Sequence, residues 1–190
     1  QVNEGFICLT PDKSISYLYD FDHYGVGVWN KLFSRYLFEK IRFPVRKISE
    51  DYYIMYKIFS ETKKVCYDST PLYYYRQRNN SITRAKKTSF DVIQAHLDFL
   101  TFANNWEGKC LVPCARHACF FAYIGVYDTI LKNRDADNKL KEIRKNALIY
   151  YSDAYLYENN IMRKIQMKVF KYMPHLYKCF LLLYLKRRSL

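Results

Sequence analysis

Apolar positions follow two patterns along this chain, and the change comes near residue 85. Before it, short apolar runs alternate with turns. After it, apolar residues recur at helical spacing almost without interruption. Gly25-Val26-Gly27-Val28-Trp29 reads as a short β-prone run whose two glycines allow a close backbone approach. Residues 30–41 (NKLFSRYLFEKI) predict a strand end followed by a helix, broken at Phe43-Pro44. A second helix is predicted from Ser49-Glu50-Asp51 to about Thr62. Ser49 suits the N-cap, the two acids suit the positive end of the helix dipole, and Ile54, Ile58 and Phe59 share an apolar face. Residues 65–67 and 72–76 predict two strands around a Ser69-Thr70-Pro71 turn, and Asn79-Asn80-Ser81 a loop. Further helices are predicted over 89–104, 112–131, 135–156 and 161–172, with Pro174 opening a last one. No repeat or low-complexity segment interrupts them.

This pattern predicts an α+β chain, mostly helical, in which a small mixed sheet from residues near 24–84 precedes a helical bundle. Three parts are expected: 1–84, a helical region 85–160, and basic amphipathic helices over 161–190. The apolar run 179–185 is far too short to cross a bilayer, and no run of about 18 apolar residues exists. The first residue is Gln1 and no signal-like start follows, so a processed protein or a fragment of a longer one is expected.

Composition adds one strong feature. With 190 residues, 50% hydrophobic and 18% aromatic, the chain can bury a sizeable core and is not disordered. Its net charge is +13, and residues 161–190 hold eight basic residues and no acid. That leaves +5 for the other 160 residues. A nucleic-acid reader more often carries its charge on the folded body, so nucleic acid is not an expected partner. A basic tail interleaved with Leu, Phe and Tyr suits an anionic membrane surface, or equally a solvated helix face.

The six cysteines (Cys8, Cys66, Cys110, Cys114, Cys119, Cys179) are irregularly spaced in a chain too large to need staples, so reduced thiols in a cytoplasmic setting are expected. Cys110, Cys114 and His117 would share one helix face and Cys119 would point away from it. Pro113, however, suggests a helix start that takes Cys110 off the helix. Buried small thiols, not metal ligands, are the expected role, and no metal site is assigned.

Candidate chemistry collects in the first 85 residues: Trp29-Asn30-Lys31-Leu32, Glu50-Asp51, and Tyr73-Tyr74-Tyr75-Arg76-Gln77-Arg78 followed by Ser81-Ile82-Thr83. Such a set offers an aromatic surface for a sugar, a carboxylate to deprotonate a hydroxyl and arginines for a phosphate. Each piece has a plainer reading. An acidic pair at a helix start is more often a cap than a base, a single Trp is usually core, and Arg76 and Arg78 could decorate an edge strand.

In combination and order, VWNKLF…LFEKIRFP…ISEDYYIMYKIF…YDSTPLYYYRQRNNSITR resembles the C-terminal half of bacterial family-two glycosyltransferases with the GT-A fold, over about residues 24–84. These enzymes extend capsular, lipopolysaccharide and related surface glycans. The resemblance implies an inverting, nucleotide-sugar-dependent transferase acting on a glycan or lipid-linked acceptor. Asp51 is then the catalytic base, with Glu50 as its neighbour and less suited substitute. Trp29, with Asn30 and Lys31, lies on the acceptor side; Lys31 either pairs with a carboxylate or holds the chain locally. Arg76 or Arg78, with Ser81, faces the donor diphosphate.

The resemblance also implies a nucleotide-binding half ahead of Gln1 and a Mg²⁺ or Mn²⁺ in the full-length parent, none of it held by this chain. Asp20-Phe21-Asp22 has the look of a metal-binding DxD. It is set aside because Asp22 lies only 29 residues before Asp51 and no Val- or Ile-rich strand leads into it. The chain alone is then expected to be inactive. It is placed in the cytoplasm or on the inner face of the membrane, with a homodimer expected from an uncovered sheet edge. The alternative is a non-catalytic helical module that docks on a membrane or a partner.

Overall fold

The computed structural model describes residues 6–20, 23–76, 89–133 and 137–188. Its organising element is α4 (Val112–Asn133), which buries most of its residues and leaves Gly125 and Lys132 exposed. Pro113 sits in its first turn, where a missing N–H costs nothing. Ala115, Ala118 and Ala122 let neighbouring helices come close. α3 (Asp91–Asn105) packs along α4, as do α5 (Asp137–Ile149) and α6 (Tyr151–Tyr157). α7 (Ile161–Tyr172) and α8 (Pro174–Arg188) pack on each other, and α8 reaches α4.

Two apolar clusters result. The first joins α1 (Pro11–Tyr17), α2 (Glu50–Ser60), α3 and the start of α4 around Ile15, Met55, Phe99 and Leu111. The second joins the rest of α4 to α5–α8 around Phe120, Ile130, Ala147, Met167 and Phe170.

The α+β class holds, with helices dominant and a small sheet. That sheet is one antiparallel pair, β1 (Ile7–Leu9) and β2 (Val65–Tyr67), in the register Ile7↔Tyr67, Cys8↔Cys66 and Leu9↔Val65. The register sets Cys8 opposite Cys66, and the two form a disulfide. The expectation of reduced thiols fails for this pair, because two cysteines far apart in sequence meet directly across the ladder. Cys110, Cys114, Cys119 and Cys179 are free.

The other strand expectations give way to coil. The runs at 25–29 and 72–76 find no ladder partner among the described residues. Residues 30–41 form only a 3₁₀ turn at Arg35–Phe38, which buries Leu37. The helix expected over 135–156 is two helices, because Tyr150 leaves helical geometry (φ −96°, ψ −4°) between Ile149 and Tyr151. The bend keeps Ala147, Tyr151 and Ala154 in one core with α4.

Ser49 holds the N-cap position of α2 in a left-handed conformation (φ 63°), and its side chain makes no capping bond. Asp91 of α3 steadies this entry instead. Its carboxylate accepts hydrogen bonds from Ile48 N (3.1 Å) and Lys47 Nζ (3.0 Å), and its carbonyl accepts one from the Tyr53 hydroxyl (3.0 Å).

Candidate functional site

The head of α2 and the loop before it hold most of the expected site. Trp29 is not a core residue: it is 47% exposed. Its ring lies 4.9 Å from that of Tyr73 and 4.8 Å from that of Tyr75, each tilted by 35°. Tyr73 and Tyr75 are two positions apart and both rings reach the indole. Tyr74, between them, is almost wholly exposed. The indole also folds back over Gly27. A Cβ built there would stand 2.7 Å from the Trp29 Nε1, so any larger residue would have to push the indole out of this pose.

Lys31 ties that loop together. Its ammonium donates to Gly25 O (2.7 Å), Gly27 O (2.6 Å) and Asn30 Oδ1 (2.9 Å). Of its two expected roles, holding the chain locally is therefore realised in direct bonds. Burial pulls Lys31 down to about 8, and the negative charge of Asp51 works against that fall.

Asp51 stands in the first turn of α2 and accepts from Tyr52 N (3.0 Å). Burial raises its carboxyl above the ordinary value. The Tyr52 N–H opposes the rise, Glu50 adds to it, and Lys31 opposes it. Behind it, Tyr52 packs on His96 with ring centroids 4.7 Å apart. Burial lowers His96 to about 4, so the ring is neutral at pH 7 and lends Asp51 no charge.

Contacts therefore run from Tyr73 and Tyr75 through Trp29 and Gly27 to Lys31, and the Lys31 charge acts on Asp51. Asn30 and Glu50 are exposed beside it. Arg76 is exposed at the end of its described segment and takes no part in these contacts. Arg78 and Ser81 lie outside the described residues. Tyr73 and Tyr75 stand in the tyrosine run of the candidate set, but the motif reading gave neither a role of its own. Their two-residue spacing was the available signal, but only the position of Trp29 gives it meaning.

A second polar locus joins distant elements. His117 of α4 is buried, and its Nε2 lies 2.9 Å from Glu158 Oε2. Glu158 also accepts from Asn160 N (2.7 Å), and Arg163 Nη1 stands 3.7 Å from it while donating to Asp20 O (3.1 Å). Asp20 in turn faces His23 Nδ1 at 2.6 Å, and a cleft of about 240 Å³ opens beside these pairs. Here Asp20 closes a loop that follows a helix, while Phe21 and Asp22 lie outside the described residues.

The cysteines and His117 do not converge. Cys110 is exposed ahead of α4, Cys114 points at Ser16 O (3.8 Å), and Cys119 points at His96 O (3.3 Å). Among the described residues no group of three or more His, Cys, Asp or Glu side chains could hold a metal, so the metal implied for the parent finds no donor set there.

No family model matches the chain, and no solved structure matches it at a significant level. A stretch of 59 residues, 31% of this chain, is 39% identical to the glycosyltransferase GlyA of Streptococcus pneumoniae serotype 4. That stretch spans only 8% of the relative's length. The chain is thus similar to a glycosyltransferase over a short part of both proteins.

Proposed function

We propose that this chain is the acceptor-side part of an inverting glycosyltransferase of GT-A type, in which a sugar passes from a nucleotide donor to a surface glycan or a lipid-linked acceptor. The carrying observation is an exposed cluster of Trp29, Tyr73 and Tyr75 on a loop tied down by Lys31, whose charge acts on the half-buried Asp51 at a helix start. The similarity to a glycosyltransferase supports the same reading.

In this mechanism an acceptor sugar lies against Trp29, whose ring and the flanking tyrosines offer flat apolar faces with polar edges. The exposed Asn30 amide donates to a sugar hydroxyl. Asp51 accepts a hydrogen bond from the attacking hydroxyl and takes its proton as the oxygen bonds to the anomeric carbon. The bond to the nucleoside diphosphate breaks on the opposite face, and configuration inverts. The raised carboxyl of Asp51 brings its proton affinity closer to that task at neutral pH. Lys31 holds the loop that carries Trp29 and keeps a positive charge near the carboxylate. Arg76, Arg78 and Ser81 fall on the donor side, and the nucleotide itself is bound by another part of a longer parent.

The test is a transfer assay on that parent. Trp29→Ala is expected to raise the acceptor KM about tenfold, the worth of one lost stacking contact, with a smaller change in kcat. An unchanged KM would remove Trp29 from the acceptor site.

A further inference from the structure

We propose that the α7–α8 hairpin docks the protein on an anionic lipid bilayer. The inference goes beyond sugar transfer and does not depend on it.

α7 buries one apolar side and exposes another. At the helical repeat, Ile161, Ile165 and Tyr172 fall within about 40° of one another. All three are exposed, Ile161 by 71% and Tyr172 by 66%. Met167 and Phe170, on the opposite side, are fully buried in the second core. Met173, the one residue between the helices, and Leu176 and Phe180 of α8 are exposed as well. Leu176 and Phe180 stand one turn apart, while Tyr177 between them is buried.

The hairpin is firmly seated, so this exposure is a property of the fold. Asn160 caps α7 by accepting from Met162 N (2.9 Å) and Arg163 N (3.1 Å). Arg144 of α5 donates to Phe170 O (3.2 Å) and Lys171 O (2.6 Å) at its other end. The Tyr177 hydroxyl donates to Asp128 of α4 (3.0 Å).

Charge identifies the occupant. Residues 161–190 carry eight basic side chains and no acid. Lys168 lies on the apolar face, and Lys164 and Lys171 border it. Their ammoniums rest over tyrosine rings of α6, Lys164 and Lys168 over Tyr155 (5.2 and 5.5 Å) and Lys171 over Tyr151 (4.0 Å). Cations beside a stripe of Ile, Tyr, Met, Leu and Phe match lipid headgroups over acyl chains. A nucleic acid would use the cations and leave the apolar stripe wet. No described helix is long and apolar enough to cross a membrane, so the contact lies in the interface plane.

The test is co-sedimentation of the 190-residue chain with vesicles of phosphatidylcholine, with or without phosphatidylglycerol. Binding is expected only with phosphatidylglycerol, and it falls steeply as salt rises. The double variant Ile165→Ser and Phe180→Ser is expected to weaken it by at least about tenfold, with unchanged circular dichroism, because both side chains already face solvent. Equal binding to both vesicle types, or equal binding of the variant, would overturn the proposal. So would tight binding to duplex DNA that the variant retains, or a dimer that the variant splits while vesicles stay unbound. None of these outcomes touches the transfer assay, so the two proposals fail separately.

Discussion

Asp51→Asn is expected to lower sugar transfer by the parent enzyme about 10²- to 10⁴-fold while making the folded protein more stable at pH 7. The first effect follows because Asn cannot accept the proton of the attacking hydroxyl, although it keeps the size of Asp and a carbonyl for Tyr52 N. The second follows from the direction of the Asp51 shift. Burial raises its folded value above the unfolded one, so the native state favours the protonated carboxyl. The charged form therefore costs stability at every pH above the folded value. The cost fades as pH falls through that value toward the unfolded one. Asn removes the charge and with it the cost. Melting curves at pH 7 and pH 4 check this: the variant should gain over the parent at pH 7, and the gain should shrink at pH 4. Activity that survives the change would end the role of Asp51 as base. A variant that loses both activity and stability would mark it as a structural cap. Glu50 is exposed in the same turn, and Glu50→Gln is expected to cost far less activity.

Opening the Cys8–Cys66 disulfide is expected to cost about 4 kcal/mol, since it closes a separation of 58 residues that the unfolded chain would otherwise explore freely. For a chain of this size that is a drop of roughly 10 °C in melting temperature. Most of the loss comes from the unfolded state. α1 and α2 stay packed through Ile15, Met55 and Phe59, so helix content should not change on reduction. The measurement is a thermal melt with and without a reducing agent, beside the double variant Cys8→Ser and Cys66→Ser. Coincident melts would show that the bridge contributes nothing. Cys114 and Cys119 do not complicate the comparison, because both are buried and burial pushes each thiol up to about 12. Both strands are only three residues long, too short to hold register by themselves.

The helices were legible where local chemistry fixed them. α7 begins after the Asn160 cap and ends before Pro174, and the periodicity places it over the residues observed. α4 reads as a helix with proline near its start, and it is one. The division at Tyr150 was not legible, because nothing in its neighbours breaks a helix. The bend serves the packing of Ala147 and Ala154 on α4, which is tertiary. β1 escaped notice because three residues carry no period, and their partner lies 58 positions on.

At the candidate site, the residue types of Trp29, Lys31 and Asp51 were legible and their surroundings were not. The ring contacts of Trp29 come from Tyr73 and Tyr75, in a segment more than forty positions away. The depressed ammonium of Lys31 comes from burial under its own loop. The steadying role of Asp91 at the head of α2 likewise needs two helices to have met.

α4 contributes its opening turns to one apolar cluster and its remaining length to the other. Its buried middle turns belong to the second cluster, so their amides stay protected while that cluster is intact. In deuterium exchange its central amides should be the last to exchange, at a rate set by opening of the whole molecule. The aromatic site and the basic hairpin then hang from one shared cooperative unit. Damage to either cluster lowers the stability that both surfaces draw on.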